Sequence, residues 1–248
     1  MKTVHLRFYE ELNDFLPLEK RKIRFSHSFK NNPSIKDMIE SLGIPHTQVD
    51  FILSNNNAVD FNYIVQNGDE ISVYPVFESL DIQNISKLRP TPLRQIKFIA
   101  DVHLGKLARY LRMLGFDTLY QNNYTPNQIL KISKLEKRII LTKSRELLKR
   151  KEVTHGYCIT ESNLEIRLKR VLNRFNLYDS IIPFSRCMIC NTNLESVSKE
   201  KIIDRIPKKV KEWQKEFKIC PNCNKIYWKG THYESMMKFI NSLNKNKT

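Results

Sequence analysis

Residues 97–118 read KFIADVHLGKLARYLRMLGFDT, and this stretch contains the signals that decide the fold. Phe98-Ile99-Ala100 is a short apolar run that ends at Asp101, which predicts a buried strand. The apolar residues that follow have the three- and four-residue spacing of one helix face, and Gly115 is placed to end that helix. These residues are Leu104, Leu107, Ala108, Leu111 and Leu114. The stretch therefore predicts a strand followed by an amphipathic helix.

The same alternation of strand and helix repeats as far as residue 175. Three more strands are predicted, at residues 116–120, 138–142 and 157–160. Thr125 and Ser144 can each cap the helix that follows them. Such alternation predicts a parallel sheet covered by helices. Ligands of these sheets bind beyond the carboxyl ends of the strands, where Asp101 and the turn at residues 142–144 are expected.

Residues 1–79 predict a different, smaller fold. Alternating residues indicate strands at residues 4–9, 22–26, 49–53 and 70–74. A helix stripe runs from Ile35 to Leu42. The segment Asn67-Gly68-Asp69-Glu70-Ile71-Ser72-Val73-Tyr74-Pro75 resembles the ubiquitin-like β-grasp of sulfur-carrier proteins. Those carriers act through a free terminal Gly-Gly, whereas this chain continues after Ser79, so we expect a docking or stabilising module.

Composition and charge limit the classes of function. The 248 residues suit two or three compact units, and no apolar run reaches the roughly 20 residues that span a bilayer. The first 11 residues contain no signal-peptide core, so a cytoplasmic location is expected. Residues 1–80 contain 8 Lys/Arg and 11 Asp/Glu, whereas residues 81–248 contain 34 and 15. Basic charge concentrated in one region predicts a polyanionic partner, with nucleic acid ahead of an acidic membrane surface.

Two Cys-x-x-Cys pairs predict a structural zinc site. Cys187 and Cys190 form the first pair, Cys220 and Cys223 the second, and 29 residues separate them. Four thiolates complete a tetrahedral zinc shell with no open position. An Asn follows each pair, as in the tight turns that direct backbone amides at metal-bound sulfur. A redox role would need a thioredoxin-like setting, which neither pair has. The fifth cysteine, Cys158, is predicted to be a core residue.

The segment between the two pairs is basic, and its apolar residues Val210, Trp213 and Phe217 predict a short helix. After the second pair, Trp228 and Tyr233 have rings that can stack on bases, and Lys229 can contact phosphate. For Trp228 we favour packing of the ribbon onto the α/β sheet. His232 is left open between a phosphate contact and a structural hydrogen bond.

Residues 101–118 resemble the opening motif of the PIN-like RNase domain first seen at the carboxyl end of the Mut-seven exoribonuclease. Residues 140–148, ILTKSRELL, resemble its third-strand motif, and Tyr227-Trp228-Lys229-Gly230-Thr231-His232-Tyr233 matches its closing motif. The resemblance runs from about Lys97 to Tyr233. Family members often carry an amino-terminal ubiquitin-like module, so both parts of the chain support the same family.

The resemblance implies hydrolysis of RNA by Mg²⁺ or Mn²⁺ ions held by acidic residues. Asp101 and Asp117 match two of these acids. The third-strand motif usually reads Thr-Arg-Asp-Arg, whereas this chain has Thr142-Lys143-Ser144-Arg145. The acid expected at the start of the second helix is replaced by Pro126 or Asn127. A serine brings no negative charge to a metal site, and Glu146 is the nearest substitute.

Seven residues in the family motifs are candidate nucleic-acid contacts: six are lysines or arginines, and the seventh is a histidine. They are Lys106, Arg109, Arg112, Lys143, Arg145, Lys229 and His232.

The expected architecture is a multidomain protein of α+β and α/β type. A ubiquitin-like β-grasp module (1–79) and a linker (80–95) precede a PIN-like parallel sheet with flanking helices (96–183) and a four-Cys zinc ribbon with a carboxy-terminal helix (184–248). The first hypothesis is an RNA-binding protein of the PIN-like ribonuclease type with a depleted acidic metal site. The alternatives are an active Mg²⁺- or Mn²⁺-dependent ribonuclease and a protein that docks on a ribonucleoprotein or ribosome, with the ubiquitin-like module contacting protein.

Overall fold

The computed structural model describes residues 1–75 and 96–244. The predicted linker at residues 80–95 lies outside the described residues. The described chain divides into two compact units, one with residues 1–75 and 125–160 and the other with residues 96–124 and 161–244. In the described part of the chain, no helix is both long enough and apolar enough to cross a membrane.

The described chain contains strands and helices in the alternation that the sequence predicts. The strands are β1 (Lys2–Phe8), β2 (Arg24–Phe29), β3 (Phe51–Ser54), β4 (Asn57–Ala58), β5 (Glu70–Tyr74), β6 (Phe98–Ala100), β7 (Thr118–Leu119), β8 (Ile139–Thr142), β9 (Gly156–Cys158), β10 (Glu195–Val197), β11 (Phe217–Ile219) and β12 (Ile226–Trp228). The helices are α1 (Ile35–Ser41), α2 (Gly105–Met113), α3 (Pro126–Glu136), α4 (Arg145–Lys149), α5 (Leu164–Arg174), α6 (Lys208–Trp213) and α7 (Thr231–Asn244).

The first module is a five-stranded mixed sheet in the order β2-β1-β5-β3-β4. The first and last long strands, β1 and β5, run parallel, whereas β1 pairs with β2 and β5 pairs with β3 in antiparallel fashion. Ser34 caps α1 by accepting the backbone N–H of Asp37 at 3.1 Å. Buried residues such as Leu6, Ile39 and Val73 come from strand and helix alike. This arrangement is the predicted ubiquitin-like β-grasp.

In the first unit, residues 125–160 form two strand–helix repeats. Strands β8 and β9 are parallel, with Thr142 opposite Cys158. Thr125 and Gln128 form a capping box at the start of α3, and the Ser144 hydroxyl accepts the N–H of Leu147 at the start of α4. Cys158 is only 4% exposed, so its prediction as a core residue is confirmed.

The first module packs on strand β9 within this unit. The Gln48 side chain donates to the carbonyl of Gly156 and accepts the N–H of Cys158, both at 3.3 Å. His46 bridges the Glu40 carboxylate at 2.6 Å and the Val153 carbonyl at 2.9 Å. The amide of Gln48 thus takes the place of a neighbouring strand along the open side of β9.

The second unit combines the parallel strands β6 and β7 with a small antiparallel ribbon. Helix α5 packs beside α2, and the ring of Phe98 meets that of Phe175 at 5.4 Å. The ribbon has the strand order β10-β11-β12, and Phe217 pairs with both neighbouring strands. Its core contains the buried residues Ile202, Ile206, Val210, Phe217 and Ile226.

The predicted stripe of Val210, Trp213 and Phe217 on one helix is wrong. Helix α6 ends at Trp213, and Phe217 begins β11. Val210 and Phe217 are buried, but the indole of Trp213 is 54% exposed. Helical periodicity failed because the chain turns from helix to strand between these apolar residues.

Gly115 allows the chain to pass close to the segment before the ribbon. Its φ of +100° is left-handed, and a Cβ at this position would lie 2.4 Å from the carbonyl oxygen of Ile182. Gly68 has a similar φ of +85°, but no atom lies within 4 Å of the corresponding Cβ position. Comparing substitutions at the two glycines therefore distinguishes the cost of a left-handed φ from the cost of a steric clash.

We expect Gly115→Ala to lower the free energy of unfolding by about 3 kcal/mol or more, because the backbone must move as well as adopt a strained φ. The control Gly68→Ala should cost about 1 kcal/mol, from strain alone. Urea denaturation monitored by far-ultraviolet circular dichroism measures both. Equal losses would contradict the close approach at Gly115.

Candidate functional site

Four cysteines of the second unit form one cluster. The Sγ atoms of Cys187, Cys190, Cys220 and Cys223 all lie within 4.8 Å of one another. The closest pairs are Cys190 with Cys220 at 3.3 Å and Cys187 with Cys223 at 3.5 Å, and none of the four is in a disulfide. Bonds of about 2.3 Å from sulfur to zinc place the corners of a tetrahedron ~3.8 Å apart. The donors and their spacing therefore fit a closed, four-coordinate metal site.

Each cysteine pair lies in a tight turn completed by an asparagine, as the sequence predicts. Asn191 and Asn224 have left-handed φ values of +71° and +59°. The N–H of Asn191 donates to the carbonyl of Cys187 at 3.0 Å, and the N–H of Asn224 donates to that of Cys220 at 2.9 Å. Asparagine adopts this conformation at lower cost than most residues. The turns therefore bring both sulfurs of a pair to one side.

The thiols of the cluster differ in their tendency to ionise. Desolvation opposes ionisation of Cys190, but hydrogen bonds with Thr192, Cys220 and Asn222 lower the pKa of this thiol to about 6. Desolvation and the adjacent thiols raise the pKa of Cys223 to about 12. A second thiolate beside the first is unfavourable until a cation compensates the charge. Four thiolates at this spacing thus match a divalent metal.

Arg112 holds the first cysteine turn against the α/β elements of the second unit. Its side chain is 4% exposed, and its Nε donates to the carbonyl of Thr118 at 2.8 Å. Its Nη1 donates to the carbonyls of Ile189 at 2.6 Å and Met188 at 3.4 Å. Burial lowers the pKa of Arg112, and the thiols of the cluster oppose that shift. This placement differs from the expected phosphate contact, because the guanidinium is already occupied by main-chain carbonyls.

Asn191 forms a second connection between the first cysteine turn and strand β7. Its Oδ1 accepts the N–H of Thr118 at 2.9 Å, and its Nδ2 donates to Oδ1 of Asp117 at 2.7 Å. Oδ2 of Asp117 lies 3.6 Å from the guanidinium of Arg186. Both carboxylate oxygens of Asp117 therefore face the cysteine turn and its neighbouring arginine.

The strand register separates Asp117 from Asp101, the two predicted acids. Phe98 lies opposite Thr118 in the parallel pair β6–β7, so Asp117 precedes β7 while Asp101 follows β6. Four residues along a strand span about 13 Å, and the Asp117 carboxylate is directed at Asn191 and Arg186, so the two carboxylates lie at opposite ends of the strand pair. Asp101 lies at the carboxyl edge, as expected. It is 6% exposed, and its Oδ1 accepts the N–H of His103 at 2.9 Å.

The third-strand motif, residues 140–148, lies in the first unit. Its one acidic residue, Glu146, is exposed. The Ser144 hydroxyl caps α4, and the side chain of Lys143 is exposed. Glu146, the candidate substitute acid, is exposed and lies 3.3 Å from Nζ of Lys149. Arg145 lies over the ring of Phe15 at 4.7 Å and donates to its carbonyl at 3.4 Å. Arg145 therefore contacts the first module, and its predicted phosphate contact stays a prediction.

The remaining predicted cations of the second unit are exposed. Lys106 and Arg109 lie on the exposed face of α2. Lys229 pairs with Glu216 at 2.7 Å, and this pair is also exposed. His232 is exposed and its side chain makes no hydrogen bond within the described chain, and both roles left open for it stay predictions. Trp228 packs against the ribbon core, whereas its predicted packing on the α/β sheet stays a prediction; the ring of Tyr233 meets that of Phe184 at 4.7 Å.

Comparison with protein families agrees with this architecture. Residues 1–81 match the Mut7-C ubiquitin family model, and residues 96–240 match the model of the Mut7-C RNAse domain. The chain belongs to the Mut7-C RNase family. No curated protein and no solved structure matches it.

The Mut7-C RNase domain of this chain includes the cysteine cluster. Its family model spans both the strand–helix repeats and the four cysteines. The second unit likewise combines residues 96–124 with the ribbon. The predicted boundary between residues 183 and 184 lies inside the matched region and stays a prediction, while Arg112 and Asn191 connect the first cysteine turn to α2 and β7.

Three residues of this Mut7-C domain were missed as parts of the site. Arg186 pairs with Asp117, and Arg112 was placed at the surface. The hydroxyl of Tyr227 lies 3.1 Å from Sγ of Cys187 and accepts the N–H of Met188 at 3.2 Å. The available signal for Tyr227 was its position four residues after Cys223, which keeps it close to the cysteine cluster.

We expect Arg112→Ala to lower the free energy of unfolding by about 3 kcal/mol or more, because three main-chain carbonyls lose the charged donor of a buried side chain. Arg109→Ala, three residues away on the exposed face, is the control and should change it by less than about 0.5 kcal/mol. Guanidinium denaturation followed by circular dichroism measures both. Similar, small effects would show that Arg112 does not hold the cysteine turn.

Proposed function

We propose that the chain binds RNA through its Mut7-C RNase domain and that its acidic metal site is depleted. The observation that carries this proposal is the separation of Asp101 from Asp117 by the strand register. Together with Ser144 at the usual acidic position, it leaves Asp101 as the one predicted acid at a strand's carboxyl edge. A pair of Mg²⁺ or Mn²⁺ ions needs several carboxylates to offset its charge.

The charge of the chain supports RNA as the ligand. Residues 81–248 contain 34 Lys/Arg and 15 Asp/Glu, and the family is named for an RNase domain. Lys106, Arg109, Lys143, Lys229 and His232 are exposed and remain our candidates for phosphate contacts. Release of counterions from the phosphates drives such binding, so affinity falls as salt rises.

An active Mg²⁺- or Mn²⁺-dependent ribonuclease is the alternative function. Membership of the Mut7-C RNase family favours it, and so does the buried Asp101 at the end of β6. In that case Asp101 would hold a cation that activates water and stabilises the leaving oxygen. Glu146 is a weak partner for this role, because its carboxylate is exposed and paired with Lys149.

Incubation of RNA with the full chain in Mg²⁺ or Mn²⁺ tests the proposal. We expect binding without cleavage for the wild type and for Asp101→Asn, and a gain of cleavage for Ser144→Asp if the missing acid is the cause. The control Glu146→Gln should resemble the wild type. Cleavage by the wild type that Asp101→Asn abolishes would support the active enzyme instead. Failure to bind RNA at low salt would contradict the whole proposal.

We propose that the cysteine cluster holds one structural Zn²⁺. Four thiolates supply a closed shell, so the metal contributes folding energy and offers no position for a substrate. Cys187, Cys190, Cys220 and Cys223 would hold it, and the Tyr227 hydroxyl would donate to the Cys187 sulfur. Through Arg112 and Asn191, the bound turn would fix α2 and β7 in place.

Metal analysis of the purified chain should find one zinc per chain, because the four thiolates form a single site. Cys190→Ser should lose the metal and shift the thermal midpoint downward by several degrees. Cys158→Ser, which changes a core cysteine outside the cluster, is the control and should keep its zinc. Absence of metal from the wild type, or loss from both variants alike, would overturn the assignment.

A further inference from the structure

An exposed tryptophan and several lysines share one surface of the ribbon. Trp213, at the end of α6, is 54% exposed although Val210 on the same helix is buried. A Cβ at Gly230 would lie 4.0 Å from Cη2 of Trp213 and 3.2 Å from Nε1 of Trp228, so the two indoles flank this glycine. Trp228 packs on the ribbon core. The exposed indole and the packed one therefore both lie near Gly230.

The surroundings of Trp213 are strongly basic. Residues 199–229 contain ten Lys/Arg and four Asp/Glu. Lys209 and Trp213 are four residues apart on α6 and therefore share a face. Lys208, Lys209 and Lys215 are exposed, and no carboxylate of the described chain pairs with them.

The acidic residues of the segment reduce this charge only in part. Glu216 is paired with Lys229, and Glu212 is exposed beside Trp213. Lys199 donates to the Lys211 carbonyl and Lys218 donates to the Phe184 carbonyl, and neither of these contacts involves a carboxylate. The surface therefore combines one accessible aromatic face with an excess of cations.

We infer that Trp213 stacks on a base of single-stranded RNA, while Lys209 and Lys215 contact the flanking phosphates. The inference rests on the proposed RNA-binding function and adds a contact that selects single strands. An aromatic face next to lysines suits single-stranded RNA, because any exposed base can stack on the ring while the lysines contact the phosphates of the RNA backbone. Bases of an RNA duplex are stacked on one another and cannot offer that face.

Binding of an oligouridylate and of an RNA duplex to the full chain tests this inference. Trp213→Ala should weaken oligouridylate binding about 5-fold or more and leave duplex binding unchanged. Lys209→Ala should lower the slope of log affinity against log salt by about 0.7 on the single strand. The control Ile182→Ala removes another exposed apolar side chain of this unit, which is 65% exposed, and should change neither affinity.

Fluorescence provides a second readout that does not depend on affinity. Trp213 and Trp228 are the two tryptophans of the chain. Oligouridylate should quench the wild type, and the quenching should largely disappear in Trp213→Phe, which keeps the packed Trp228. Circular dichroism checks that each variant is folded.

The outcomes separate the two proposals. RNA binding with unchanged affinity and quenching in the Trp213 variants would overturn the stacking contact and leave the proposed function intact. Loss of all RNA binding in the wild type would contradict both. Polyglutamate that binds and quenches as strongly as oligouridylate at the same salt would identify a surface for acidic protein segments and overturn the inference.

Discussion

The buried guanidinium of Arg112 is the interaction on which the second unit depends. A buried cation is tolerated only when its donors are satisfied, and here three main-chain carbonyls accept from it. Two of these carbonyls belong to the first cysteine turn and one to β7. Because the cysteine turn, α2 and β7 share this donor, the ribbon and the strand–helix elements form one unit. The sulfurs nearby also favour the positive charge.

Local signals predicted most of the secondary structure and the cysteine site. Thr125 and Ser144 cap helices as expected, and Asn191 and Asn224 complete the cysteine turns. The role of Arg112 could not be predicted in this way. It lies off the apolar stripe of α2, which indicates solvent exposure, but residues 76 and 77 positions later in the chain cover it. Helix periodicity reports which face is apolar and contains no information about a distant partner.

The acidic residues show a different limit of sequence reasoning. The match of Asp117 to a family acid stays a prediction, and the strand register counts against it, because this residue precedes its strand while Asp101 follows one. Direction was available from the predicted elements, so this part of the geometry could have been anticipated. The exposure of Trp213 could not, since it depends on where the chain leaves the helix and enters β11.

The amide of Gln48 has a consequence for the exposed edge of strand β9. An exposed strand edge readily pairs with another chain, and proteins usually protect such edges with charges, prolines or a covering segment. Here the Gly156 carbonyl and the Cys158 N–H are occupied by a side chain of the ubiquitin-like module. The ubiquitin-like module therefore covers this strand edge, and an RNase domain expressed without the module would expose an edge that favours aggregation.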